Sequence, residues 1–581
     1  MTLDFRNINT LWASVLVETL SRLGLTTAVI CPGSRSGPLA VAFAQHPKVE
    51  AIPILDERSA AFFALGRARR TGLPTVLVCT SGTAGANFYP AVIEARESRV
   101  PLLVLTADRP PEMRHCHAGQ AIDQVKLYGH YPNWQAELAL PEADWGLLAY
   151  VRQTTLHAWA RSQAPVPGPV HLNLPFRDPL APELDPTLKA LAQTQPEQFF
   201  TSVSPLPLGG QSLAEVPLQH WQDCDCGLII AGPAQPLDPA THAQAIAHLS
   251  RWLGWPVLSE GLSPVRNFAA HNGYLITTYD LLLRHEPFAS QQRPEQVIRI
   301  GELPTSKTLR NWLSAAEIIQ WVIDPADHNF DPLHGTTVHL RTDIQTLTKS
   351  VQDLPVETPL TAYTKHWLSA EAQVRQRLQK TLAEISTAFE GKVAWLLSQH
   401  LPPKTPLFIA NSMPIRDMEW FWQPNDQQVQ PYFNRGANGI DGTLSTALGM
   451  AYGQMPSVFL TGDLTLLHDT NGFLIRSRWR GHLTIILINN HGGGIFGMLP
   501  IAAYEPPFED FFATPYAVNF AQLCATYGVD HELIQTWGHF IERIQILPEQ
   551  GIRVLEVQCD RTADAQWRLT HLPQLGADLS S

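Results

Sequence analysis

The stretch that decides the fold is Val458-Phe-Leu-Thr-Gly-Asp463, answered by Leu483-Thr-Ile-Ile-Leu-Ile-Asn-Asn490 and then His491-Gly492. Val458–Leu460 and Leu483–Ile488 are short apolar runs, which read as strands buried on both faces. Residues 470–480 between them read as a helix, so the segment is a β-α-β unit with parallel strands. In open sheets of this kind ligands bind beyond the carboxyl ends of the strands. Asp463 and Asn490 both stand there, 27 residues apart. A carboxylate oxygen and an amide oxygen are hard ligands of the kind Mg²⁺ takes, and Mg²⁺ completes its octahedron with phosphate oxygens and water. The unit therefore reads as a clamp for a metal-bridged diphosphate.

Outward from this unit, 581 residues are enough for three to four domains. Residues 1–180 alternate strand signals (27–31, 50–55, 74–79, 101–106, 169–174) with helix signals (37–45, 57–70, 83–97). Residues 181–225, with Pro205-Leu-Pro-Leu-Gly-Gly210, read as a linker. A second domain spans 226–350, with strands at 227–231, 256–258, 297–300 and 320–323. A polar break at 351–360 precedes a third domain, 361–581, which holds the opening motif. The expected fold class is α/β, with three doubly wound parallel-sheet domains.

Composition narrows the function. A net charge of −12 argues against nucleic acid or an acidic membrane surface as the main partner, so an anionic substrate must meet locally placed Arg and Lys. The seven cysteines are odd in number and scattered, which fits a reducing, cytoplasmic setting rather than a disulfide framework. Cys224-Asp-Cys226 has no further Cys or His at ligand spacing and is not read as a metal site. Leu11, Trp12, Val15, Leu16, Leu20 and Leu23 recur at helical spacing, with Thr10 as the expected start cap and Gly24 as the stop. That is an amphipathic core helix rather than a signal peptide. No apolar run reaches the 18 residues expected of a membrane span.

Gly462-Asp463 followed at this interval by Asn489-Asn490 resembles the signature of thiamine diphosphate (ThDP) enzymes. The three-part layout resembles the ThDP decarboxylase group: a pyrimidine-binding domain, a middle domain and a diphosphate-binding domain. The resemblance places Mg²⁺, with Mn²⁺ as a substitute, on Asp463, Asn490 and the backbone carbonyl of Gly492. It also asks the first domain for a glutamate that shares a proton with N1′ of the aminopyrimidine. Glu57, in Ile54-Leu-Asp-Glu-Arg58 at a strand-to-helix turn, resembles that residue. Acidic residues also favour the first turn of any helix, so position alone leaves a structural role open.

Four arginines sit in loops beside predicted strand ends: Arg35 in Cys31-Pro-Gly-Ser-Arg-Ser36, Arg109 in Thr106-Ala-Asp-Arg-Pro110, Arg416 in Asn411-Ser-Met-Pro-Ile-Arg416, and Arg435 in Asn434-Arg-Gly-Ala-Asn-Gly-Ile-Asp-Gly442. Guanidinium groups bind carboxylates in bidentate fashion, so four such loops point to a polycarboxylate substrate site. Together with His117-Ala-Gly-Gln-Ala-Ile-Asp-Gln124, these motifs resemble the 2-succinyl-5-enolpyruvyl-6-hydroxy-3-cyclohexene-1-carboxylate synthase (MenD) family of menaquinone and phylloquinone biosynthesis. The resemblance implies a ThDP-dependent transferase that decarboxylates 2-oxoglutarate and adds the succinyl unit, as a carbanion equivalent, to isochorismate in a 1,4 sense. It implies that Ser34, Arg35, Gln120, Lys307, Ser412, Arg416 and Arg435 bind the two acids, with Arg109 nearby and Phe496 and Leu499 lining the cavity. Glu57, Arg35, Gln120, Arg416 and Arg435 are then the residues nearest the chemistry. Cofactor contacts fall to Glu57, Ser412, Met413, Ile440, Gly462, Asp463, Leu464, Asn490 and Ile495, with Ile440 as the apolar pillar under the bent coenzyme. The family also implies a homodimer, or a pair of such dimers, with Glu57 and Asp463 of one site on different subunits.

The sequence departs from the wider ThDP pattern in having Leu464 where glycine is common and His491 where a third Asn is common. Thr308 follows Lys307 where a second basic residue can stand. Two other motifs lead nowhere. Gly492-Gly-Gly-Ile-Phe-Gly497 fits a dinucleotide fingerprint, but Pro500 leaves no room for the long helix it must open. His491-Gly-Gly-Gly494 resembles a lipase oxyanion loop, but the chain has no G-x-S-x-G elbow. The rival readings are an acetolactate synthase-like or other 2-oxoacid lyase, which acts on monocarboxylates, and a ThDP-fold protein that binds without catalysis.

Overall fold

Three six-stranded sheets, parallel in every pairing described, carry the chain in a computed structural model that describes residues 3–201, 203–204, 216–315, 318–350, 359–577 and 579. This is the α/β class with three doubly wound sheets that the sequence predicts. The sheets fall in two compact units. One comprises Met1–Gly209, Asn434–Tyr452 and His468–Trp479; the other comprises Gly210–Phe433, Gly453–Leu467 and Arg480–Ser581.

The first unit holds β1 (Thr27–Ile30), β2 (Glu50–Pro53), β3 (Thr75–Cys79), β4 (Leu102–Asp108), β5 (Trp134–Glu137) and β6 (Pro169–Pro175), ordered β2-β1-β3-β4-β6-β5. Strands β1, β3, β4 and β6 are buried along their whole length, which is why their sequences are continuous apolar runs. Strand β5 is a half-buried edge with the sequence Trp-Gln-Ala-Glu, so a search for apolar runs passes over it. The helices Gly37–Gln45 and Glu57–Thr71 lie where the sequence places them. The single helix expected over 83–97 is two, Thr83–Asn87 and Tyr89–Glu97, with Pro90 in the first turn of the second, where its missing N–H leaves no bond unmade. The first helix, Ile8–Arg22, starts earlier than its apolar stripe indicates. Asn7, not Thr10, is its cap, and Thr10 completes a reciprocal capping box from the third helical position.

The helix Glu57–Thr71 lies against the helix Thr443–Ala451 with almost no side chain between them. A Cβ on Gly66 would stand 2.0 Å from the Thr446 carbonyl oxygen, and one on Gly449 would stand 2.0 Å from that of Phe63. Hydrogen bonds reinforce the seam. Arg67 Nη1 donates to the Tyr452 carbonyl at 2.7 Å, Arg58 Nη2 to that of His468 at 2.8 Å, and Asn471 Nδ2 to Asp56 Oδ2 at 2.8 Å. These contacts tie 434–452 and 468–479 to the first unit.

The second unit holds two sheets. One comprises β7 (Gly227–Ala231), β8 (Val257–Ser259), β9 (Leu275–Ile276), β10 (Gln296–Ile300), β11 (Ile319–Ile323) and β12 (Thr336–Leu340), ordered β12-β11-β10-β7-β8-β9. The other comprises β13 (Pro406–Ile409), β14 (Gln430–Phe433), β15 (Ser457–Gly462), β16 (His482–Asn489), β17 (Asp530–Leu533) and β18 (Gly551–Gln558), ordered β14-β13-β15-β16-β18-β17. Both sheets share a core that includes Trp367, Phe389, Phe421 and Trp422.

Strands β15 and β16 pair in parallel with Gly462 opposite Ile488, so Asp463 and Asn490 emerge from adjacent strand ends. Their crossover is not the α-helix expected over 470–480. It is a helical turn, Asp463–Leu467, followed by a 3-10 run, Thr470–Arg478. Buried Asp469 accepts from the Ser445 N–H at 2.6 Å, and a Cβ on Gly472 would stand 2.8 Å from Ser445 Oγ. The chain is thus drawn flat against the helix Thr443–Ala451 where a regular helix would not fit. Within the expected linker 181–225, Leu188–Gln193 and Leu218–Gln222 form short helices, while Pro205–Gly210 lies outside the described residues, as does 351–358 of the second break. Among the described residues no helix is long and apolar enough to cross a membrane.

The glycine seam yields a stability test. Alanine stabilises most helix interiors relative to glycine by roughly 0.5–1 kcal/mol. At Gly66 the sign reverses, because the new Cβ meets backbone that cannot move aside. Gly66→Ala is expected to destabilise by about 1–3 kcal/mol, read as earlier thermal unfolding. Gly273→Ala, whose Cβ would meet nothing within 4 Å, serves as the control. Equal melting temperatures for the two variants would refute the seam.

Candidate active site

The carboxyl ends of β15 and β16 carry the candidate cation site. Asp463 is 2% exposed, and its Oδ1 accepts from the Leu464 N–H at 2.6 Å and its Oδ2 from the Gly492 N–H at 3.1 Å. Burial outweighs these bonds and pushes its carboxyl above the ordinary value. Asn490 turns its Nδ2 to Glu390 Oε2 at 3.0 Å, which leaves its Oδ1 buried with no hydrogen-bond partner among the described residues. The turn that follows admits only glycine at Gly492, where φ is +140° and a Cβ would stand 2.3 Å from the Ala513 carbonyl oxygen. A buried carboxylate beside an orphaned amide oxygen fits a hard divalent cation. One formal negative charge in that donor set suits a ligand that brings anionic oxygens of its own.

The same unit carries Ser412, Met413, Arg416 and Lys307. Ser412 (φ +72°) precedes the helix Met413–Phe421 just beyond β13, Met413 is buried, and Arg416 Nη1 donates to the Ser412 carbonyl at 2.6 Å. Gly462 and Leu464 flank Asp463 and are half-buried. Ile495 and Phe496 are half-buried on the 3-10 turn Gly494–Met498, where Phe496 meets Phe512 edge-on, and Leu499 is exposed just beyond it. Only 3-10 turns, Gly494–Met498 and Pro500–Ala503, follow the glycines, so the long helix of a dinucleotide fingerprint does not form there. Lys307 is the exposed first residue of the helix Lys307–Ser314, capped by Ser306.

The first unit carries a group of candidate residues of its own. Glu57 opens the helix Glu57–Thr71 behind the Asp56 cap and is half-buried. Among the described residues its carboxylate accepts no hydrogen bond. Cys31 and Cys79, at the ends of β1 and β3, have thiols pushed up first by burial and further by the nearby Glu57 charge. Arg35 is buried, with Nη1 donating to the Phe176 carbonyl at 2.8 Å and 3.7 Å from Asp178 Oδ1. Burial, and then the adjacent Arg109 charge, lower its pKa. Arg109 donates to Ser81 Oγ and, at 3.3 Å, to Gln120 Oε1. Among the described residues the Nε of each of these two arginines is buried without an acceptor. Gln120 sits at φ +57° in a loop braced by Gln124, whose Oε1 accepts from the Gly82 N–H at 2.8 Å. Exposed Ser34 completes this cluster.

Arg435 and Ile440, both half-buried, lie on a loop of the same unit. Buried Glu94 holds it, accepting from the Gly436 N–H at 3.0 Å, the Ala437 N–H at 2.7 Å, Ser98 Oγ at 2.6 Å and Arg69 Nη2 at 3.0 Å. Ser81 and Glu94 escape sequence reasoning. Nothing local marks a helical glutamate whose partner lies 342 positions away, and Ser81-Gly82 reads as an ordinary turn.

Comparison with known proteins places these arrangements. Residues 12–127 match the model described as thiamine pyrophosphate enzyme, N-terminal TPP binding domain, and residues 210–409 match the middle domain of thiamine pyrophosphate enzymes. The chain is 63% identical over 575 residues to a 2-succinyl-5-enolpyruvyl-6-hydroxy-3-cyclohexene-1-carboxylate synthase of Acaryochloris marina, covering 98% of each chain. It is 60% identical over 583 residues to the enzyme of that name from a Nostoc species, covering 100% of each. It is 57% identical over 578 residues to one from a Synechococcus species, covering 97% of this chain and 96% of the relative. The chain therefore belongs to the 2-succinyl-5-enolpyruvyl-6-hydroxy-3-cyclohexene-1-carboxylate synthase family of thiamine diphosphate enzymes.

Proposed function

We propose that this chain is a ThDP- and Mg²⁺-dependent transferase that converts 2-oxoglutarate and isochorismate to 2-succinyl-5-enolpyruvyl-6-hydroxy-3-cyclohexene-1-carboxylate in menaquinone or phylloquinone biosynthesis. The observation that carries the reading is the buried Asp463 carboxylate beside the unpartnered Asn490 Oδ1, in a chain of this family. Bound ThDP supplies the electron sink that loss of carbon dioxide requires. Asp463, Asn490 Oδ1 and the Gly492 carbonyl hold the divalent cation, for which Mn²⁺ can substitute. The carboxyl of Glu57 holds a proton at the aminopyrimidine N1′. Gly462, Leu464, Met413, Ile440 and Ile495 pack the coenzyme, and Phe496 and Leu499 shield the substrate cavity from water. Ser412 and Arg416 hold the distal carboxylate of 2-oxoglutarate. Ser34, Arg35, Gln120, Lys307 and Arg435, with Arg109 nearby, hold isochorismate.

In this reading residues 1–180 are the pyrimidine-binding domain, 226–350 the middle domain and 361–581 the diphosphate-binding domain. The working molecule is a homodimer, or a pair of dimers, in which Glu57 of one subunit serves the cation site of the other. A cytoplasmic setting fits the unpaired cysteines.

Variants at the cation and proton sites test the reading. Asp463→Ala is expected to weaken ThDP binding at least about tenfold, or ~1.4 kcal/mol, by calorimetry in Mg²⁺. Glu57→Gln is expected to bind ThDP but to slow deuterium exchange at its C2 sharply. Mixed dimers of the two variants should regain activity if the site is shared, and a fully active monomer in ultracentrifugation would sink the shared site.

Substrate kinetics of arginine variants separate this activity from an acetolactate-type one. A charged hydrogen-bonded pair contributes roughly 1.5–3 kcal/mol. Arg416→Ala should accordingly raise the KM for 2-oxoglutarate by about ten- to a hundredfold. Arg35→Ala should weaken isochorismate use and spare carbon dioxide release from 2-oxoglutarate. A wild type that prefers pyruvate, together with an Arg416→Ala variant that changes neither acid, would replace this reading with the acetolactate-type one.

A further inference from the structure

Behind Asn490 lies a buried charge network that the reading above does not use. Arg568, 2% exposed on the helix Arg561–Leu575, donates from Nη1 to Glu390 Oε1 at 2.6 Å and from Nη2 to Asp417 Oδ1 at 2.6 Å. The Phe389 ring stands 5.2 Å from its guanidinium carbon. Glu390 opens the helix Glu390–His400. Its second oxygen, Oε2, accepts from Asn490 Nδ2, and its N–H donates to Asp564 Oδ2 at 3.1 Å. Asp417 follows Arg416 directly in the helix Met413–Phe421. Burial pushes the Asp417 carboxyl up to about 7 and that of Asp564 to about 8, so charge here is held against desolvation. Replacing buried ion pairs with well-packed apolar groups is often neutral or stabilising, so stability alone does not account for such a cluster.

The geometry accounts for it in another way. An asparagine amide can turn either its oxygen or its nitrogen to a given neighbour, and an ionised carboxylate only accepts. Glu390 Oε2 therefore captures Nδ2 and sends Oδ1 the opposite way. Arg568 holds Glu390 in place to do so. We propose that Glu390 and Arg568 are positioning residues that fix the Asn490 amide with its oxygen toward the cation, while the other arm of Arg568, through Asp417, sets the helix that carries Arg416. This inference rests on the cation and substrate roles proposed above.

Glu390→Gln makes the test sharp. Arg568 only donates, so it takes the glutamine's oxygen and leaves the glutamine NH₂ facing Asn490. The asparagine must then flip and withdraw Oδ1 from the cation. We expect Mn²⁺ affinity in the presence of ThDP, followed by the resonance signal of free Mn²⁺, to fall about ten- to a hundredfold. Adding Asn490→Asp, whose two oxygens make a flip immaterial, should restore it. Asp417→Asn should leave Mn²⁺ affinity unchanged and raise the KM for 2-oxoglutarate. Should Glu390→Gln fail to fold, Glu390→Asp keeps the charge for Arg568 and falls short of Asn490, with the same loss expected. Unchanged Mn²⁺ affinity in the Glu390 variants, or a loss that Asn490→Asp does not restore, overturns the positioning role. A wild type that binds neither Mn²⁺ nor ThDP overturns the cation reading itself.

Discussion

A carboxylate buried at the end of a strand needs compensation, and the structure around Asp463 is arranged to give it. The parallel register of β15 and β16 delivers Asp463 and Asn490 to adjacent strand ends. Backbone N–H groups of Leu464 and Gly492 reach the carboxylate, and Gly492 makes the necessary turn. Even so, burial keeps its pKa raised, so the hydrogen bonds alone do not meet the desolvation cost. The proposed divalent cation between Asp463 and the Asn490 amide oxygen would meet it. Metal binding and local order at this edge are then one equilibrium.

The second dependency is backbone on backbone. Gly66 and Gly449 let the helix Glu57–Thr71 and the helix Thr443–Ala451 touch, and Asp469 closes the seam through Ser445. Glu57 stands on the first turn of one of these helices, and the loop with Arg435 and Ile440 leads into the other. The first unit therefore fixes the relative placement of Glu57 and that loop by contacts in which side chains have little freedom.

The buried strands were legible because a strand covered on both faces must be apolar throughout, as in Val104-Leu105 or Ile485-Ile486. Edge strands broke that rule. Strand β12, Thr-Thr-Val-His-Leu, alternates exposed and half-buried positions before its last residue, and β5 is half-buried throughout. The crossover after Asp463 was misread for a different reason. Its conformation is set by Asp469 and Gly472 against Ser445, a tertiary contact that overrides local helical preference. In the site, residues that would touch ligand lie in short loops with strong punctuation, such as Pro32-Gly33 or Asn489-Asn490, and stand out in the sequence. Residues that hold those loops, such as Glu94, Glu390 and Arg568, sit in helices and gain meaning only from partners far along the chain.

The arginines show how a net acidic chain presents positive charge where it matters. A buried Nε without an acceptor does not by itself mark a ligand site, since Arg67, Arg152 and Arg299 share it. Arg114 is matched by Asp108 at 3.0 Å and Glu137 at 2.7 Å, and Arg266 by Glu419 at 3.3 Å and the backbone carbonyls of Ser259, Met418, Glu419 and Trp422. Arg35 and Arg109 differ. Burial and then the Arg109 charge depress Arg35, and the nearest carboxylate to Arg35 among the described residues is solvent-exposed Asp178 at 3.7 Å. Two like charges held together beyond the ends of β1 and β4 are unfavourable until an anion lies between them. In the proposed function, removal of that cost on binding would make the pair selective for a carboxylate over a neutral ligand of the same shape.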